Sequence, residues 1–144
     1  MTVREGRPAD EPALRSLQAL LREPSPSLLA HGLRAGGVLV EEAGGEAVGY
    51  TLAVAGGAGD GLHVAELVVD PAHRREGRGT RLLSAVVADA DGPVTLLVAV
   101  DNDAARTLYE DLGFRPRGRR PGFYDDGTDA IVMRRDGGQT ASDV

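Results

Sequence analysis

The sequence predicts one α/β domain, a mixed central sheet of about seven strands with helices on both faces. Three observations carry that prediction. The chain has 144 residues, 42% apolar and 26% charged, the size of one domain with one core. Short β-like runs alternate with helical patterns, in the order strand, two helices, three strands, helix, strand, helix, two strands. The run Val94 to Val100 is almost continuously apolar, as in a strand buried on both faces.

Residues 1–7 alternate weakly and form the first strand. Pro8, Asp10 and Pro12 signal a helix start for Leu14, Leu17, Leu20 and Leu21, and Pro24 stops it. Leu28, Leu29 and Leu33 mark a second short helix, ended by Gly36-Gly37. Gly44-Gly45 joins Val38–Ala43 to Glu46–Ala55 in a hairpin. Gly56 to Gly61 reads as a surface loop rather than a linker, because neither flank alone is long enough to bury a core.

Leu62 to Val69 is the next strand, closed by Asp70-Pro71. Thr80 to Ala90 carries Leu82, Leu83, Val86 and Val87 as one helical stripe, broken by Asp91-Gly92-Pro93. Asn102 or Asp103 caps a last helix with the stripe Ala105, Leu108, Tyr109 and Leu112, and Gly113 suits its left-handed end. Phe114–Gly118 and Ala130–Arg134 are the final strands. Residues 1–135 are expected to be the domain and 136–144 a disordered tail.

Composition removes several function classes. Cysteine is absent, which excludes disulfides, thiolate metal sites and an acyl-cysteine intermediate. All 16 basic residues are arginine, so no lysine can form a Schiff base or serve a P-loop. A net charge of −6 argues against nucleic acid as a partner. No apolar run approaches the roughly 20 residues that span a bilayer, and the chain reads as a soluble cytoplasmic protein without a membrane partner. His31, His63 and His73 show no ligand spacing, so no metal is expected.

The chemistry concentrates in Leu67 to Leu83, where a strand end, a turn with Arg74-x-x-Gly77-x-Gly79 and a helix follow directly. Glycines let backbone amides approach an anion closely, and a helix start adds unpaired amides and about half a positive charge. A pyrophosphate suits that nest, and Arg74, Arg75 and Arg78 could add charge-assisted bonds. The dinucleotide fingerprint is a poor match, since its third glycine position is Leu82.

A second segment stands at the right distance, Asn102-x-x-Ala105-x-x-Leu108-Tyr109-x-x-Leu112-Gly113-Phe114. With Leu67-Val-Val-Asp-Pro-Ala-His-Arg-Arg-Glu-Gly-Arg-Gly79, the sequence resembles the GNAT superfamily of acyl-CoA N-acyltransferases, closely over about residues 62–134. The resemblance implies a GNAT-type sheet splayed between its fourth and fifth strands, with acetyl-CoA as acyl donor. It implies that Arg74, Arg75, Glu76, Gly77, Arg78, Gly79 and Thr80 hold the pyrophosphate. Main-chain groups along Leu67, Val68 and Val69 would pair with pantetheine like an added strand. Asn102, Ala105, Arg106 and Tyr109 would face the cofactor across the splay.

Amine attack on a thioester needs a base for the ammonium and an acid for the departing thiolate. Tyr109 is the candidate acid, since a phenol of pKa about 10 is largely protonated at neutral pH and can hydrogen-bond a thiolate whose conjugate acid lies at about 8.5. By spacing alone it equally fills the helix stripe. His63, ordinarily titrating at about 6.5, stands where several family members carry a glutamate or histidine base. A strand-edge histidine is its equal alternative. Glu66 lies on the opposite face of that strand by alternation, so only one of the two can approach the thioester directly, although either could act through water.

Arg119-Arg120-Pro-Gly-Phe-Tyr124 and Asp129-Ala-Ile-Val-Met133 resemble the last loop and strand of the family's peptide N-terminal acetyltransferases. Those of the ribosomal-protein type carry a glutamate at the position of Leu97 and a tyrosine where Phe123 stands. Arg115, Arg117, Arg119 and Arg120 read first as a solvated strand face, and could also select an acidic substrate. The expected activity is N-acetyl transfer to a small-molecule amine or peptide acceptor. The alternatives are an N-terminal acetyltransferase and a non-catalytic acyl-CoA-binding module, and a homodimer is left open.

Overall fold

The order of elements follows the punctuation of the sequence. The computed structural model describes residues 3–56 and 61–137. Most of the Gly56–Gly61 loop and residues 138–144 of the expected tail therefore lie outside the described residues. The strands are β1 (Val3–Glu5), β2 (Val38–Ala43), β3 (Glu46–Ala55), β4 (Leu62–Val69), β5 (Val94–Ala99), β6 (Arg115–Arg120) and β7 (Ala130–Arg135). The helices are α1 (Glu11–Gln18), α2 (Pro26–Ala35), α3 (Arg78–Asp89) and α4 (Asp103–Asp111). Single 3₁₀ turns stand at Pro8–Asp10 and Pro71–His73.

The seven strands hydrogen-bond in the order β1-β2-β3-β4-β5-β7-β6. The β4–β5 pair is parallel, whereas β1–β2, β2–β3, β5–β7 and β6–β7 are antiparallel, so the sheet is mixed as expected. The β4–β5 register covers Leu62 with Val94, His63 with Thr95 and Val64 with Leu96. That ladder occupies only the beginning of β4, in keeping with a splay at this strand pair.

Two compact units can be described, one formed by the chain up to Val54 with Ala65–Val86, the other by Ala55–Val64 with residues from Val87 onward. In the first, α1 and α2 bury Leu14, Leu17, Leu29 and Leu33 against Val38, Val40, Tyr50, Leu52 and Val68. Each such leucine contributes about 1.5–3 kcal/mol when removed from water. Glu41 follows Val40 on β2 and points to the opposite face, where Arg78 and Arg81 of α3 reach it. Helices thus cover both faces of this part of the sheet. In the second unit, buried Val94, Leu96 and Val98 of β5 and Ile131 and Met133 of β7 form the core with Tyr109 and Phe114. β6 is an edge strand exposed along its whole length.

Several boundaries differ from expectation, and the following do so for a local reason. α1 ends at Gln18 rather than near Pro24, since Leu20 and Leu21 already close turns onto Leu17 and Gln18. α3 starts at Arg78, two residues early, because the Gly77 carbonyl accepts the Arg81 amide at 3.0 Å and begins the helical ladder. β6 omits Phe114, whose amide donates to the Tyr109 carbonyl at 3.0 Å as part of the α4 C-terminus, and runs on to Arg120. β7 extends to Arg135, and Asp136 beyond it pairs with Arg134 and Arg117.

Candidate active site

In the first unit, the turn between β4 and α3 has the backbone an anion nest requires. Asp70 accepts from the Ala72 amide at 3.0 Å and folds the Pro71–His73 turn. Arg75 and Gly77 then adopt φ of +66° and +76°. A side chain at Gly77 would be strained, and its Cβ would stand 3.3 Å from Arg81 Nη1. Arg78, Gly79 and Thr80 occupy the first turn of the 12-residue α3, where backbone amides lack intrahelical partners.

The arginines of this turn differ in what they have left to offer. Arg74 Nε donates to the Val69 carbonyl at 3.0 Å, which engages one of the main-chain groups expected to meet pantetheine. Arg78 donates to Glu41 Oε1 and Glu76 Oε1, each at 2.8 Å, and to the Glu42 carbonyl. The Glu76 hydrogen bond, reinforced by Glu41, holds its guanidinium above the ordinary value. Arg81 joins it on Glu41 at 2.9 Å, and the carboxylate they share is fully buried. The Arg78 side chain is thereby turned back on the protein, while its amide stays with the helix start. Arg75 is exposed and has no hydrogen bond among the described residues.

Glu66 lies on the same strand and is almost completely buried. Its carboxylate accepts from Tyr50 Oη at 2.8 Å, from the Ser25 amide at 2.7 Å and from Gln18 Nε2 at 3.1 Å. Burial, together with that carboxylate, raises the Tyr50 phenol far above its ordinary value. Glu66 therefore ties the α1–α2 connection to β4 as a buried polar hub. Leu67 and Val69 are half-buried on either side of buried Val68, on the alternate face from Glu66.

In the second unit, His63 Nδ1 stands 2.9 Å from Thr95 Oγ1, its register partner on β5. Burial first, and the charge of Arg120 second, lower the His63 pKa below its ordinary value, so the imidazole is kept neutral. Thr95 is the one hydroxyl in the run V-T-L-L-V-A-V, and that interruption is the sequence signal that could have found it.

Tyr109 is buried on α4, with its ring 6.2 Å from that of Phe114 in a tilted pair. Burial, with Tyr124 nearby, pushes its phenol up to about 12. Its hydroxyl has no hydrogen bond among the described residues. The ring is packed and the hydroxyl is uncommitted. Asn102 Oδ1 accepts from the Ala105 amide at 3.2 Å and caps α4, and Arg106 Nη1 donates to the Val100 carbonyl at 3.4 Å. Leu97 is half-buried, and Phe123 and Tyr124 meet edge to face at 5.0 Å.

Among the described residues no three metal-ligating side chains cluster, and no helix is long and apolar enough to cross a membrane. Sequence reasoning did not find Glu41, Arg81 or Thr95, whose partners are distant in the chain.

A family model described as the acetyltransferase (GNAT) family matches residues 7–114. The N-alpha-acetyltransferase RimI of Mycobacterium tuberculosis is 41% identical over 109 residues, which is 74% of this chain and 65% of that protein. A mycothiol acetyltransferase of Clavibacter sepedonicus is 54% identical over 56 residues, 38% of this chain. The chain thus spans 65% and 18% of the lengths of these two curated relatives. In fold it resembles Naa20 of Chaetomium thermophilum, solved with a bisubstrate analogue, with a TM-score of 0.85 at 22% identity. The likeness covers 99% of this chain and 90% of that one.

Proposed function

Because the chain belongs to the GNAT family of acetyltransferases, we propose that it moves an acetyl group from acetyl-CoA to a primary amine by direct attack in a ternary complex. The observation that carries this reading is the turn ahead of α3, where positive φ at Gly77 and the free amides of Arg78, Gly79 and Thr80 suit a pyrophosphate. Arg75, exposed beside them, supplies charge. Main-chain groups of Leu67 and the Val69 amide take the pantetheine amides.

His63, held neutral, takes the proton from the acceptor ammonium. The amine nitrogen then forms a bond to the thioester carbonyl carbon, the carbon–sulfur bond breaks, the departing thiolate takes the Tyr109 proton, and the proton that the nitrogen sheds as it becomes an amide returns through water to restore the phenol. A phenol pushed up to about 12 stays protonated at neutral pH and is a donor at every turnover. Asn102, Ala105 and Arg106 frame the head of α4 beside that tyrosine.

Two measurements test the reading. Acetyl-CoA at a hundredfold excess over its dissociation constant stabilises a folded chain by about 2.7 kcal/mol. For a chain of this size that is a melting shift of roughly 5–10 °C. NAD should give none, and Gly77→Glu should abolish the shift while leaving the unliganded protein folded. A thiol-release screen with acetyl-CoA against amines, amino acids and peptides then identifies the acceptor, and an unchanged melt with saturating acetyl-CoA sinks the reading.

The relationship to RimI favours, as a second reading, a peptide N-terminal acetyltransferase. Leu97 and Phe123 depart from the ribosomal-protein type, so this reading relies on His63 for the base. Turnover of peptides but not of small amines selects it. Binding of acetyl-CoA without thiol release to any acceptor would leave a non-catalytic acyl-CoA-binding module.

A further inference from the structure

Four arginines lie on β6, and three are engaged within the second unit. Arg115 donates to the Glu110 and Phe114 carbonyls at 3.0 and 2.8 Å. Arg117 pairs with Asp136 at 3.3 Å, and Arg119 with Asp129 at 3.4 Å. Arg120 is exposed, and among the described residues it has neither a carboxylate nor a carbonyl partner. Its neighbours on the strand show that acidic side chains are within reach of this edge, which makes its lack of one informative.

Register decides which way Arg120 faces. Arg120 pairs with Ala130, Ala130 with Ala99, and Ala99 shares its face of β5 with Leu97 and Thr95. Thr95 is the partner of His63, so Arg120 and the imidazole stand on one face of the sheet, whereas Arg119, opposite Ile131, is on the other. Between them that face carries half-buried Leu97 and Val132, and Arg134, opposite Thr95 on the same face, is paired with Asp136 at 2.9 Å. Strand spacings separate the two Cα positions by roughly 14 Å across the sheet and 13 Å along it, and both side chains shorten that gap. The lowered His63 pKa agrees, since the Arg120 charge is one of its causes.

We propose that Arg120 determines acceptor specificity, receiving the carboxylate of an acceptor whose amine is presented to His63, so that the preferred acceptors are peptides with an acidic side chain close to a free N-terminus. This rests on the amine-acetylation reading and names its substrate class. The span between the two groups fits a side-chain carboxylate one or two residues along better than the carboxylate of a free amino acid. Overall charge works the other way: a chain of net charge −6 repels acidic ligands, so their selection requires a dedicated cation.

The test is steady-state thiol release with acetyl-CoA and matched peptides carrying Asp or Glu, or Asn or Gln, at the first or second position, with free glutamate alongside. The wild-type chain should favour the acidic peptides by about three- to fivefold in kcat/KM, mainly through KM, the scale of one solvent-exposed ion pair. The preference should shrink as salt is raised. At about pH 8, where the imidazole of His63 is neutral with or without the Arg120 charge, Arg120→Gln should remove it while leaving turnover of the neutral peptides unchanged, Arg120→Glu should invert it toward basic peptides, and Arg119→Gln should keep it. Equal rates for acidic and neutral peptides, a preference that survives in Arg120→Gln, or a preference for free glutamate over every peptide overturns the assignment of Arg120 alone. No thiol release with any acceptor overturns the transfer reading and this proposal with it.

Discussion

The two units use their polar side chains in opposite ways. In the first, charged side chains are spent on the protein itself: buried Glu41 on Arg78 and Arg81, buried Glu66 on Tyr50, Gln18 and Ser25, and half-buried Arg4 on Asp10 and Glu42. In the second, the groups with chemistry to offer are barely spent. His63 has one hydroxyl neighbour, the Tyr109 hydroxyl has no hydrogen bond among the described residues, and Arg120 has no acidic partner there. On the proposed reading the first unit offers a ligand backbone held in shape by satisfied side chains, with the exposed Arg75 beside it. What the second offers is side chains, held in place by a packed core.

If that division is right, substitutions in the second unit should change rates and those in the first should change stability. Tyr109→Phe is the sharpest break. It keeps the ring beside Phe114, so the melt should hardly move, while turnover falls by roughly 10² to 10⁴ with loss of the general acid. Wild-type turnover in that variant would return Tyr109 to the core. Glu41→Gln should do the reverse, lowering the free energy of unfolding by about 2–3 kcal/mol in urea titrations. That is less than the roughly 3–5 kcal/mol of a fully buried broken pair, because the guanidiniums keep some water. A loss under about 0.5 kcal/mol would make Glu41 an idle partner.

The pH profile offers a finer test. Because the folded His63 pKa is depressed, the base form persists below about 6.5, and the acidic limb of kcat/KM should fall on the acid side of that value. The sign for stability agrees. The unfolded chain binds the proton first as pH drops below about 6.5, so the contribution of neutral His63 is present above that pH and is lost on the way down to the folded value. His63→Gln should flatten both curves, and an acidic limb that survives intact places the base elsewhere. The smallest effect belongs to Arg119→Gln, which removes an exposed pair at 3.4 Å and should shift stability by less than about 0.5 kcal/mol in either direction.

Much of the second unit could be read from the sequence because its signals are local. Gly113 takes φ of +93° at the end of α4, Asn102 caps that helix, and the apolar run from Val94 becomes a strand ended at Ala99. The first unit was legible in its element order, since Gly36-Gly37 and Gly44-Gly45 fall where helix gives way to strand and strand to strand. Its charge arrangement was not. Glu41 and Arg78 are 37 residues apart, and Glu66 and Gln18 are 48 apart, distances at which no spacing rule operates. Glu66 was visible as a carboxylate on a strand, and alternation gave its face correctly. Only the fold reveals that Tyr50, Gln18 and Ser25 converge there. Arg78 was read for its charge, and the tertiary pairing to Glu41 turns that charge inward.

The bond from the Ser25 amide to Glu66 has a consequence in time. Ser25 sits just ahead of α2, in a stretch where an amide ordinarily trades its hydrogen with water quickly. At 2.7 Å from a carboxylate almost wholly enclosed by the core, this one can exchange only when the enclosure opens. Its deuterium uptake should keep pace with the amides of β4 rather than with those of Arg22 and Glu23 beside it. A loop residue would thus report the opening of a strand.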